Sequence, residues 1–399
     1  MAEKGIARFR FQRRLLACLL AAGLLLAAAP CLSQGEPRAG ASAGDRAAAE
    51  RYLVARRAFE EESAAYWRSV AEKRRIRNAK RRDNEPILLA DYVLEQPPVY
   101  SGPPRPPVPG VPPEPRRPEI PVVADFLKAA AEQFGFVPRR PENELAFKRA
   151  YARAALDAGL TREQAVGVYI FETGGNGSYD TQAGLTGSGT RAISPALGYN
   201  QLLSTNSVGL LAEHGDRLVE LLARKAEAIA GAPKAALHEK IAALRRMVAF
   251  SRTVPNQWSE HDKLAKTTPG GLGIHAAVLD LDIGPWLQTR KLVNSVLFAR
   301  AKGYGSTLSA AELELMNFTG DGNGIDMVLM PADLRRRVPT ANFFQQEGYE
   351  RNPIARRTGT VAALIASIEA RADRAARADG ARELAAAFDD VASGSVGQR

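Results

Sequence analysis

Cysteine is nearly missing from this chain. Of 399 residues only Cys18 and Cys31 are cysteines, and both lie near the N-terminus. The remainder can form no disulfide framework and do no thiolate chemistry. Aromatic residues reach only 7%, and the alternating apolar–polar runs that mark strands are nearly absent. Alanine-rich stretches recur in their place, and alanine has the highest helix propensity. The four histidines, His214, His238, His261 and His275, fall without metal-ligand spacing, so no metal is expected. There is no phosphate-cradling glycine loop and no serine-nucleophile motif, and no cofactor is implied. What is left is a mainly α chain.

At 45% hydrophobic and 25% charged, the composition is that of a globular protein long enough for one sizeable core plus accessory segments. Residues 1–14 carry Lys4, Arg8, Arg10, Arg13 and Arg14 against Glu3, and an apolar run follows from Leu15 to Ala29. That run is short for a bilayer span, and its basic flank is that of a secretory signal, 1–34, cleaved near Ser33. A lipid on Cys31 and an uncleaved anchor are the alternatives; Pro30 makes a poor lipoprotein site. The expected location is the periplasm. The signal supplies +4 of the formal +10, leaving +6 on the mature chain. A modest basic excess suits cell wall, an anionic membrane surface or nucleic acid, and export argues against nucleic acid.

A helical pattern runs from Asp45 to about Arg82, within an accessory segment spanning 35–95. It ends in KRRIRNAKRR, Lys73–Arg82. This cluster reads either as an electrostatic tether to anionic wall, lipid or envelope proteins, or as a solvated helix end, the simpler reading. Twelve prolines between Pro97 and Pro121 preclude helix and sheet, so 96–121 is expected to be a semi-rigid polyproline spacer. Further helices are expected at 122–134, 142–158, 161–173, 216–230, 235–252, 273–282, 286–302 and 308–318. The main helical domain is placed at 122–355, with an alanine-rich helix of about 359–390 inside a C-terminal segment, 356–399.

Glu172 stands out. Thr161 and Gln164 form a capping box opening the helix TREQAVGVYIFET, which Gly174 and Gly175 stop. Within it Glu172 shares a stripe with Ala165, Val168 and Tyr169. A carboxyl at the end of an apolar stripe is disfavoured from ionising, and one that stays protonated near neutrality can donate to a departing glycosidic oxygen. The plainer reading is a helix-end glutamate reaching solvent.

Downstream text bears on the choice. Glu172-Thr173 is followed by Ala192-Ile193-Ser194, by Gly198-Tyr199-Asn200-Gln201, and later by Met316-Asn317-Phe318-Thr319-Gly320. In order and rough separation this set resembles the soluble lytic murein transglycosylases, which share the goose-type lysozyme fold. The stretch Gly271–Gln288 looks like the helix that precedes the Tyr-Asn element in that family. The resemblance covers about residues 122–325. It implies a lysozyme-like domain acting on peptidoglycan glycan strands. A single glutamate protonates the oxygen between N-acetylmuramic acid and N-acetylglucosamine, then serves as base while the muramoyl C6 hydroxyl attacks C1. The product carries a 1,6-anhydro end, and no second acid is needed, unlike most glycosidases. By resemblance Thr173, Ser194, Gln201 and Asn317 would lie at the substrate. Tyr199 and Phe318 would either offer faces to pyranose rings or pack in the core.

The sequence also departs from that family. Met316 stands where the family has a tyrosine, and Ser204-Thr205-Asn206 replaces a proline-containing turn. The loop Gly174–Ile193 is rich in glycine, as a mobile cover would be. These departures motivate a second reading, a non-catalytic wall-binding or scaffold protein. A third is a hydrolysing lysozyme with Asp180 as second carboxylate; the alternative for Asp180 is an exposed loop residue beside Tyr179. GDGNGID, Gly320–Asp326, lacks the ligand spacing of a calcium loop and is expected to be a turn after a helix.

Overall fold

The computed structural model describes residues 42–107, 119–185 and 192–396, so the expected signal, Cys18, Cys31 and part of the proline-rich segment lie outside the described residues. Helices dominate, and the described residues hold only isolated β-bridges. Among them, no helix is long and apolar enough to cross a membrane. The chain divides into two units, residues 1–55 with 102–114, and residues 56–101 with 115–399. In the first, the described residues are the opening turns of helix α1, Ala43–Arg82, and the helix-free segment 102–107. Everything below concerns the second unit.

Helices α2, Val123–Phe134, and α3, Glu144–Asp157, lie close to their expected bounds, as does α4, Arg162–Thr173. Helix α5, Ser204–Glu227, starts well before the expected 216, because Ser204, Thr205 and Ser207 are buried helix residues rather than a loop. Then come α6, Ala232–Ser251, and α7, Trp258–Thr267, a helix not expected from the sequence. Next are α8, Pro269–His275, continued by a 3₁₀ turn over Ala276–Leu279, and α9, Gly284–Ala301.

Helix α10, Ala310–Thr319, is followed directly by α11, Asp321–Val328. The expected turn at Gly320–Asp326 is therefore a helix. Gly324 packs so tightly on α10 that a Cβ there would meet Met316 Cα at 2.4 Å. Short helices follow: α12, Ala332–Arg337, α13, Gln346–Glu350, and α14, Pro353–Thr358. The expected last helix is two, α15, Val361–Ala375, and α16, Asp379–Val396.

Two apolar cores result. One gathers α2, α5, α6 and α8 around Phe126, Leu211, Leu244 and Ile274. The other gathers α3, α4, α10, α11, α15 and α16 around Phe147, Tyr169, Leu313 and Leu364. Helix α9 serves both, with Leu287 in the first and Leu292 in the second. Alanine and leucine periodicity supplied these stripes, and burial of each costs least when the stripes face one another.

The basic end of α1 is only partly solvated. Arg75 and Arg82 are exposed, but Arg77 is 1% exposed. Its guanidinium donates to the carbonyls of Asp91 (2.9 Å) and Asn342 (3.0 Å), and lies 4.5 Å from the centroid of the Tyr92 ring. Arg74 donates to the carbonyls of Asn342 and Phe344, Lys80 pairs with Asp91 at 2.7 Å, and Arg81 pairs with Asp326. Arg74, Arg77 and Arg81 fasten α1 to the C-terminal half of the chain, and Lys80 ties it to the segment just after the helix. The solvated-end reading fails for these four residues, because buried carbonyls and carboxylates need donors.

Candidate active site

Helices α4 and α10 run parallel and in register. The capping box expected at Thr161 forms: Thr161 Oγ1 accepts from the Gln164 amide at 3.2 Å, and Gln164 Oε1 accepts from the Thr161 amide at 3.0 Å. The Gln164 amide nitrogen donates in turn to the Leu308 carbonyl at 2.8 Å, tying the start of α4 to the start of α10. One turn on, Gly167 allows close approach, since a Cβ there would meet Ala310 Cβ at 2.4 Å. At the far end Asn317 Nδ2 donates to Glu172 Oε1 at 2.8 Å. Gly174, in the left-handed conformation at φ 69°, ends α4 just beyond.

A second carboxyl sits there. Glu314, one turn before Asn317 on α10, is 1% exposed, and no N–H or neutral hydroxyl reaches either of its oxygens. It faces Glu172, which is half-buried and therefore the member of the pair a ligand can reach. Two ionised carboxylates cannot bond to each other, so one must hold a proton and donate it. Burial pushes Glu314 well above the ordinary glutamate range, and the neighbouring Glu172 pushes it further. Burial also raises Glu172, up to about 7, against the lowering effects of the bond from Glu314, the charge of Arg371 and the bond from Asn317. The pair therefore retains a proton above the ordinary glutamate range, and Glu172 is its accessible member. Arg371, on α15, lies 4.8 Å from the centroid of the Phe171 ring and supplies the nearby positive charge.

The other expected site residues divide. Thr173 Oγ1 donates to the Tyr169 carbonyl at 2.6 Å, a bond local to the helix end. Ser194 Oγ accepts from the Ala196 amide at 3.1 Å. Tyr199 is fully buried, its hydroxyl donates to Glu144, and its ring meets Tyr169 edge-on at 4.7 Å. Of its two readings, core packing is the one present, because no face of the ring reaches the surface. Gln201 spends its amide nitrogen on the Thr181 and Gly198 carbonyls, at 3.1 and 2.9 Å, closing a tight turn with φ at 42°. Phe318 packs edge-on against Phe171 and Phe344, each at 5.8 Å, and is half-buried. Met316 is fully buried. Asp180 pairs with Arg140 at 3.2 Å and accepts from Ser178 at 2.7 Å, the exposed-loop alternative rather than a second carboxylate beside Glu172.

Sequence reasoning therefore placed Glu172 and Asn317 together but missed Glu314 and Arg371. Glu314 had a signal: Leu313-Glu314-Leu315-Met316 is one acid inside an apolar run, spaced three residues from Asn317. Arg371 had none, because only the crossing of α15 over α4 and α10 brings it near. Chemically, a proton-holding carboxyl pair with one accessible member, steadied by a carboxamide and a remote cation, is equipped for general acid–base work. No protein-family model, no curated protein and no solved structure matches the chain.

Proposed function

We propose that this protein is a murein lytic transglycosylase with a lysozyme-like helical domain, exported to the periplasm and acting on peptidoglycan glycan strands. The observation that carries the reading is the Glu172 carboxyl. It is half-buried at the end of an apolar helix and held near a neutral pKa, with Asn317 at 2.8 Å. Such an acid is protonated often enough to donate to a glycosidic oxygen, and basic enough afterwards to take a proton from the muramoyl C6 hydroxyl. Glu314 would act as a positioning residue, donating to Glu172 and stabilising its ionised form once the proton has gone.

The pair's closeness favours this single-glutamate route over hydrolysis. Glycosidases that use two carboxylates hold them about 5 Å or more apart, leaving room for a covalent intermediate or a water. Here each carboxyl acts on the ionisation of the other, and Glu314 is sealed from solvent. Asp180, the other candidate, is engaged by Arg140 and Ser178.

The test is a murein-gel assay followed by mass spectrometry of the digest. A clear zone that Glu172→Gln abolishes supports an enzyme. Products about 18 Da lighter than reducing ends, the mass of one water, identify the anhydro route, whereas reducing ends would make the protein a lysozyme. A protein that pellets with murein but never clears it is the wall-binding scaffold that the buried Met316 and the inward-turned Tyr199 and Gln201 suggest.

A further inference from the structure

A concave site opens where α10 ends. The cleft has a volume of about 1000 Å³ and is walled by the basic end of α1, by α9 and by the α10–α11 corner. Thr319 and Gly320 line it, only two and three residues beyond Asn317. At 1.5 Å rise per residue, that is about 3–5 Å along the axis from the residue that holds Glu172. Lys291 joins the two places: its ammonium bonds Asp321 in the cleft wall at 3.1 Å, and its charge acts on Glu314.

The charges in the cleft are unbalanced. Of the acids in its wall, Asp326 is paired with Arg81 and Asp321 with Lys291, while Glu85 makes no ion pair among the described residues, so three acids face the four cations Arg74, Arg81, Arg82 and Lys302. Arg74 is bonded only to backbone carbonyls, which leaves its charge in place. Arg82 and Lys302 make no ion pair among the described residues; Arg82 is exposed, and Lys302 stands 5.5 Å from the Phe298 ring centroid. Between these cations lie the carboxamides of Asn78 and Asn323 and the apolar side chains of Ile87 and Leu334. Free cations beside amide groups and apolar surface match a peptide that carries a carboxylate. A flat basic patch would suit lipid headgroups; a concave cleft that sets carboxamides and apolar side chains among its cations suits a peptide better.

We propose that this cleft binds a short acidic peptide, with Arg82 and Lys302 gripping its carboxylate. The peptide is assigned as the one that murein carries on its muramoyl residues, and that assignment rests on the function proposed above. A strand cut at Glu172 would then have its peptide read about one helical turn away, between Arg82 of α1, outside the region resembling the transglycosylases, and Lys302 at the end of α9, inside it.

The experiment titrates the full-length protein with N-acetyl-Ala-Glu amide and with N-acetyl-Ala-Gln amide by calorimetry. It repeats both on the Arg82→Ala/Lys302→Ala double variant, whose fold is checked by circular dichroism. The glutamate peptide is expected to bind at least tenfold more tightly than the glutamine peptide, and the double variant to lose that preference. Equal affinities, no binding, or a preference that survives the double substitution would overturn the cleft. Binding to anionic phospholipid vesicles that needs Arg82 and Lys302, with the peptides ignored, would overturn it in favour of a membrane surface. The source of the peptide is read on murein strands with their peptides intact or removed by an amidase. The wild type should prefer intact strands in kcat/KM and the double variant should not; equal wild-type rates would sink the assignment to murein. Should no strand be cut at all, the enzymatic reading fails alone, and the titration still decides the cleft.

Discussion

Two clusters of buried acids in this chain have opposite fates. At the junction of α8 and α9, Asp280 is fully buried yet accepts from the amides of Arg139 (2.7 Å) and Asp282 (2.9 Å), and pairs with Lys240 at 2.8 Å. Beside it Asp282 takes Lys240, Lys225 and Arg139 at 2.5, 2.6 and 2.8 Å, and these bonds hold its carboxyl far below the usual aspartate range. Between α4 and α10, by contrast, no N–H or neutral hydroxyl donates to Glu314, and the pair retains a proton. Burial is common to both. The supply of donors decides which cluster is a clamp and which an acid.

The comparison breaks most visibly in activity. Glu172→Gln should lower murein cleavage about 10²- to 10⁴-fold, the usual worth of a general acid, without lowering thermal stability, as an activity assay and calorimetry together would show. Lys240→Met should do the reverse. It leaves Asp280 buried beside a lost partner and should cost about 3 kcal/mol in denaturant unfolding, with the pKa that governs activity unmoved.

Acid–base titration of stability separates the two clusters next. Glu172 binds its proton more tightly folded than unfolded, so its contribution falls as pH rises from the ordinary 4.5 to about 7. Asp282 is depressed, so its contribution is present above the ordinary 3.8 and is lost on acidification below it. Calorimetry between pH 5 and 8 should show stability declining more steeply in the wild type than in Glu172→Gln, where buried Glu314 alone still holds its proton more tightly folded than unfolded; an equal decline in both would remove Glu172 as a source.

Glu314→Leu takes away a buried carboxyl that has no donor, and should stabilise the protein by about 1–2 kcal/mol. It also removes the bond that favours ionised Glu172, so the alkaline limb of the pH–rate profile should move up, while Glu314→Gln, which keeps a donor, should leave it near its place. The smallest effect belongs to Arg371→Met. Losing that charge should raise the same limb by a fraction of a unit, and a downward shift would contradict the placement of Arg371 near the pair.

Most of the helical layout was legible because propensity and caps act over a few residues. The Thr161–Gln164 box and the Gly174 stop gave α4 almost to the residue. The helices that were missed or misdivided had another cause. Helix α5 begins inside a Ser-Thr-Asn-Ser stretch whose hydroxyls belong in a loop by propensity. It is helical because Thr205 bonds Asp262 on α7 at 2.6 Å and Ser207 bonds His275 on α8 at 2.9 Å, partners about 60 residues away. Tyr199 and Gln201 could not be assigned from spacing, since a one-residue change in the turn around Gly198 decides which side chains face inward.

By itself, the sequence determined that the chain is helical, that α4 ends in a glutamate on an apolar stripe, and that Asn317 belongs to a nearby segment. The first two are statements about neighbours along the chain, where backbone geometry fixes spacing, and the third came from the order of motifs shared with the transglycosylases. Only the tertiary structure decided that Glu172 meets Glu314 rather than a cation, and that the arginines of α1 are partly clasps. A carboxyl's proton depends on what surrounds it in space, and here those surroundings come from helices 140 residues and more apart.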